Sequence, residues 1–165
     1  MMRRSVIALA LLSLGGCGLR PLYAGGGSGA VAATLGSVTV APIAGQQGWL
    51  VRNKLLERFG EAGAGAATYR LDVTLDDNIT TFGVRSDQAA TQERRTLRAR
   101  FQLVNLSNGM VVLDATAGSD ATLDIVSSEY ANVAAEQTAL ENLSETLADQ
   151  ITARVALFAS RTRAK

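Results

Sequence analysis

The chain has no histidine among its 165 residues and a single cysteine. Without imidazole it lacks the commonest general base and the commonest transition-metal ligand. One thiol can neither close an internal disulfide nor build a thiolate cluster. No later stretch reaches the ~18 consecutive apolar residues that a membrane helix needs. A basic excess is missing too: 16 Lys and Arg stand against 15 Asp and Glu, which argues against nucleic-acid binding. The Gly-rich segment Gly60 to Ala67 has no Lys-Ser/Thr to make a phosphate loop. Asp76 and Asp77 are adjacent, so on a strand they point to opposite faces and make a poor catalytic pair. No run of acids has the spacing of a calcium loop. The residues therefore predict no catalytic site, no cofactor and no metal. A hydrolase is the least favoured class, with only Ser-Lys or Asp-only chemistry formally open.

What is present is enough apolar content for one compact domain, with 47% hydrophobic and 19% charged residues,. The N-terminus has the parts of an export signal. Arg3 and Arg4 make a positive start, and Val6 to Leu14 is an apolar run of about nine residues, too short to span a bilayer. Leu14-Gly15-Gly16-Cys17 matches a bacterial lipobox, a Leu and two small residues before a Cys that takes lipid. We expect residues 1–16 to be removed and Cys17 to be the lipid-attachment site. That would account for the odd thiol of an exported protein. Residue 18 is Gly rather than Asp, which favours sorting to the outer membrane, on its periplasmic side. Removal of Arg3 and Arg4 leaves 14 basic and 15 acidic side chains.

Residues 17–33, with Gly25-Gly26-Gly27-Ser28-Gly29, read as a flexible tether, and residues 34–163 as one α+β domain. Thr34 to Ile43 reads as a strand ended by Pro42. Gln46 to Phe59 reads as a helix with Trp49, Val51, Leu55, Leu56 and Phe59 on one broad apolar arc, closed by Gly60. Thr68 to Leu75 alternates, with Tyr69, Leu71, Val73 and Leu75 on one face. Residues 83–91 read as an exposed tip. Arg94 to Val104 alternates again: Leu97, Ala99, Phe101 and Leu103 face one way, and Arg94, Thr96, Arg98, Arg100 and Gln102 the other. Ser107-Asn108-Gly109 is a turn, and Met110 to Ala115, with a possible extension to Ile125, is the fourth strand. Glu129 to Arg161 reads as a long helix with Val133, Leu140, Leu143, Leu147, Ile151, Val155 and Phe158 on one stripe. Ser127 or Ser128 is its candidate cap. The order β-α-β-β-β-α predicts two helices on one face of a four-stranded mixed sheet, the first two strands parallel and the rest antiparallel.

Three strings carry a resemblance. Cys17-Gly18-Leu19-Arg20-Pro21-Leu22-Tyr23 resembles the start of mature LptE-family proteins, with Leu19 where that family often has Phe. Gly83 to Arg94 is similar to the family's tip leading into a strand, and Ser128-Glu129-Tyr130-Ala131 to the head of its acid- and Ala-rich helix. The resemblance implies a lipid-tethered outer-membrane protein whose partner is the LptD β-barrel. Such proteins act as plug and assembly partner of that barrel and contact lipopolysaccharide on its way to the outer leaflet. The alternative is an auxiliary lipoprotein of another envelope lipid transporter.

The polar face of the third strand carries the candidate contacts. Arg94, Arg98 and Arg100, joined by Arg85 at the tip, have the fork geometry that suits phosphate, and lipid A bears phosphates. The competing reading pairs these arginines with Asp72, Asp76 or Asp114 across the sheet. For the tip, a partner-contact loop competes with a plain solvated hairpin end. Trp49, on the apolar arc, is expected in the core rather than as a ligand platform.

Overall fold

A computed structural model of the chain describes residues 30–60, 67–84 and 90–162. Cys17, Arg85 and residues 17–29 of the expected tether lie outside them, whereas residues 30–33 lie within them and are helical. The elements are α1 (Ala30–Leu35), β1 (Val38–Val40), α2 (Gly45–Phe59), β2 (Tyr69–Val84), β3 (Ala90–Asn105), β4 (Val111–Asp124) and α3 (Glu129–Thr162). The sheet order is β1-β2-β3-β4, with β1 parallel to β2 and the other two pairings antiparallel. This is the predicted α+β arrangement with one short helix added at its front.

The predicted strand from Thr34 is corrected. The Ala-rich stretch AVAATL takes helix instead, in keeping with its high Ala content. That helix buries Val31 and Leu35 in the core. Its end is closed by Ser37, whose N–H and hydroxyl both donate to the Thr34 carbonyl. Only Val38–Val40 pairs as strand.

On β3 the alternation is read out directly. Leu97, Ala99, Phe101 and Leu103 are buried, and Arg94, Arg98 and Arg100 lie on the more exposed face. β2 and β3 run longer than expected, pairing from Tyr69↔Asn105 to Val84↔Ala90. The turn after β3 takes the expected form. Gly109 adopts φ +71°, Asn105 Oδ1 accepts from the Ser107 N–H, and Asn108 Oδ1 from the Met110 N–H. These side chains tie the turn locally as Asx motifs do.

α3 runs about 50 Å at 1.5 Å per residue. The Ser128 hydroxyl accepts from the Ala131 N–H at 3.4 Å, so Ser128 is the cap,. Leu140, Leu143, Leu147, Ile151 and Val155 are buried as predicted, but Val133 is 55% exposed because burial along the helix begins at Ala139. Phe158 packs edge-on against Tyr69, centroids 5.9 Å apart. α2 lies beside α3: Gln46 bonds Gln137, and Arg58 bonds Asp149 at 2.6 Å. The sequence offset is the same at both ends, so the two helices run parallel.

Trp49 is 63% exposed, which corrects its predicted place in the core. α2 buries Gly48, Val51, Leu55 and Phe59. At 100° per residue Trp49 lies about 120° from Leu55, off that narrow stripe. The apolar arc that the sequence suggests is wider than the stripe that packs.

Candidate functional site

The even-numbered residues of β3 place Arg94, Arg98 and Arg100 together on the sheet face turned away from the helices. A trough of about 630 Å³ runs over this face, lined among others by Thr74, Asp76, Thr96, Arg98, Arg100 and Asp120.

The three arginines are not equivalent. Arg100 makes a bidentate pair with Asp114, 3.2 and 2.8 Å, and Gln102 donates to the same carboxylate at 2.9 Å. The Arg100 hydrogen bond, followed by that of Gln102, holds the Asp114 carboxyl down at about 2,. Arg94 reaches Asp120 at 3.9 Å and stacks over the Phe82 ring, 5.4 Å from its centroid,. Arg98 has no acid within ion-pair distance among the described residues, although Asp76 is its register partner on β2. Its side chain passes over Gly118: a Cβ built there would stand 3.2 Å from Arg98 Cγ. A glycine at this point of β4 leaves the room in which that arginine lies.

The predicted cross-strand pairing therefore holds for Asp114 but not for the other two acids. Asp72 is taken by Arg70 on its own strand through two bonds of 2.8 Å, and Asp76 has no ion pair among the described residues. Asp120, which sequence reasoning did not single out, takes Arg94.

Sequence reasoning also missed a second charged site on the opposite face. Arg95 donates to both oxygens of Asp77, 3.0 and 2.6 Å, and to the Glu136 carbonyl at 3.4 Å. The two side chains are only 12% and 13% exposed. The Asp77 hydrogen bond, against the opposing effect of burial, raises the Arg95 pKa. Parity was the available signal, since Arg95 and Asp77 are odd-numbered like the core residues Leu97 and Leu71.

Among the described residues no group of three or more Cys, Asp or Glu could hold a metal ion, and no helix is long and apolar enough to cross a membrane.

The fold is similar to those of several solved bacterial proteins. A Caulobacter crescentus CB15 protein whose name marks it as a lipoprotein superposes with a TM-score of 0.63 at 24% identity, over 79% of this chain and 96% of that one. The minor lipoprotein of Acinetobacter baumannii gives 0.57 at 12%, over 73% and 91%. Rare lipoprotein B of Shewanella oneidensis gives 0.54 at 10%, over 77% and 96%. At these identities the likeness is one of fold. Among curated proteins no sequence matches significantly. A family model does match, LptE, described as lipopolysaccharide-assembly, and it spans residues 35–155. That stretch takes in the whole sheet, α2 and most of α3, so the chain belongs to the LptE lipopolysaccharide-assembly family.

Proposed function

We propose that this protein is the lipid-anchored partner of an LptD-type β-barrel, held at the periplasmic side of the outer membrane through Cys17, where it serves as plug and assembly partner and contacts lipopolysaccharide. The observation that carries this reading is the family match over residues 35–155. The geometry supports a contact point. Arg98 offers a guanidinium without an acid partner among the described residues, over a trough wide enough for a phosphate group. Arg94 and Arg100 flank it with their charges already balanced, and Arg85 is assigned to the same contact from the sequence. Phosphate oxygens suit the guanidinium fork, and an unpaired arginine can bind one without breaking an existing pair.

Three measurements test the reading. Arg98→Gln is expected to weaken lipopolysaccharide binding more than Arg94→Gln or Arg100→Gln, and the triple substitution to abolish it; unchanged binding in the triple variant discards the contact. Affinity capture from detergent-solubilised outer membrane is expected to recover a large β-barrel. Recovery of an inner-membrane transporter subunit instead would favour the auxiliary-lipoprotein alternative. Mass spectrometry that finds a bare thiol at Cys17 would remove the anchor.

A further inference from the structure

β4 is an outer strand of the sheet, and α3 sends one side-chain amide to its free edge and a second to Val126, two residues past its end. Gln150 accepts from the Gly118 N–H and donates to the Gly118 carbonyl, both at 3.2 Å. Further along, Asn132 does the same to Val126, both at 3.0 Å. A residue of a neighbouring antiparallel strand offers its partner this same pair of one donor and one acceptor. Each amide thus stands in for one residue of a fifth strand.

Between the two clips the edge is bare. The Ile125 N–H donates to the Thr91 carbonyl of β3, in line with the register Gln92↔Asp124. Odd-numbered residues here bond inward, and ladder alternation turns the N–H and C=O of Asp120, Thr122 and Asp124 outward. No group among the described residues bonds these outward atoms. The carboxylates of Asp120 and Asp124 are drawn to the open face by Arg94 and Gln92 and do not cover the edge. The segment has neither the Lys nor the Pro that commonly blunts an edge strand.

Beside this run, on the helix side, lies a groove of about 540 Å³. Ala121 and Leu123 form one wall, and Ala134, Ala135, Ala139 and Leu143 the other. A strand added to the edge would turn alternate side chains into it. At the Asn132 end Glu93, Asp124, Glu129 and Glu136 surround a smaller crevice, and Glu93 Oε1 is buried there without a hydrogen-bond partner.

We propose that Asp120, Thr122 and Asp124 form a docking edge for an extended segment of a partner protein, about six residues long, with aliphatic side chains at alternate positions and a Lys or Arg at the end nearest Glu136. The outward backbone groups specify an extended peptide, the groove specifies its aliphatic face, and the acidic crevice specifies the charge at one end. Gln150 and Asn132 mark where the added strand stops.

The test uses the full chain in detergent and two synthetic peptides, Ac-KTVTVT-NH2 and Ac-TVTVTK-NH2, which differ in strand direction and carry Lys on the same face as Val. One of them is expected to shift the backbone NMR signals of residues 118–126 and to protect the Asp120, Thr122 and Asp124 amides from hydrogen exchange. Methylating alternate peptide nitrogens removes the ladder donors and is expected to abolish binding; Glu in place of Lys is expected to weaken it at least about tenfold. Thr122→Pro deletes one outward N–H and leaves the β3 ladder intact; it is expected to abolish binding with the melting temperature little changed. Thr138→Trp, which fills the groove without touching the edge, is expected to weaken binding. Failure of both peptides to bind overturns the proposal, as does binding that ignores N-methylation. Self-association in sedimentation that Thr122→Pro abolishes also overturns it, because the occupant would then be a second copy of this chain.

Discussion

Arg95 clasps the Asp77 carboxylate through both Nε and Nη2 on the helix side of the sheet, with Glu93 and Glu136 close by. The pair joins β2 to β3 diagonally, since the register partner of Arg95 is Ile79. The bond from Arg95 to the Glu136 carbonyl extends the tie to α3. Removing one partner strands the other charge where little water reaches it. Asp77→Ala is expected to destabilise the fold by about 3 kcal/mol, since breaking a buried pair leaves Arg95 without its hydrogen-bonded partner and with only the weaker pull of Glu136 and Glu93,. Chemical denaturation checks this, and Asp77→Ala with Arg95→Met together should recover part of the loss. A double variant no more stable than the single one would show that the pair is not the cause.

The Asp114 carboxyl is expected to titrate at about 2 rather than at its ordinary 3.8. Its folded-state value lies below the unfolded one. Whatever stability the Arg100 pair contributes is therefore complete above about pH 4 and lost as pH falls through about 2. An NMR titration of the Asp114 side chain measures the midpoint. Arg100→Gln should move it upward, toward the ordinary value, and a midpoint unmoved by that change would contradict the assigned cause.

Gly48 is a packing requirement of α2. A Cβ there would stand 2.6 Å from the Ile43 carbonyl oxygen, a backbone atom that cannot swing aside. Gly48→Ala is expected to cost about 1–3 kcal/mol through overpacking, against the gain in helix propensity that Ala normally brings. Thermal unfolding decides it, and a stabilised variant would refute the contact.

Trp49 and Leu147 reverse the order that residue size suggests. Leu147 is fully buried and Trp49 is 63% exposed. Leu147→Ala is expected to cost about 2–5 kcal/mol through lost burial and a cavity, and Trp49→Ala to stay within about 0.5 kcal/mol, as exposed positions do. Comparing the two denaturation midpoints tests the assignment.

The elements that local chemistry dictates are legible in the chain itself. The alternation from Leu97 to Leu103 requires a strand with one buried face, and Asn108-Gly109 requires a turn. The spacing from Leu140 to Val155 requires a long amphipathic helix. Strand parity also puts Arg94, Arg98 and Arg100 on one face. Errors arise where a residue's partner is remote in the chain. Thr34 and Leu35 suit strand or helix until Leu35 finds the core, and an arc broad enough to include Trp49 narrows once α3 covers only its centre.

By itself the sequence determined the periods: which residues share a face of each strand or helix, where turns must fall, and that histidine chemistry is absent. Those are properties of a few successive residues, and backbone geometry enforces them wherever the segment lies. Only the tertiary structure decided which charges meet. It gave Asp114 to Arg100, Asp120 to Arg94 and Asp77 to Arg95, left Arg98 without an acid among the described residues, and set Gln150 and Asn132 of α3 on the edge of β4. Such pairs span many residues of chain, and their geometry follows from register and packing, which no local pattern encodes.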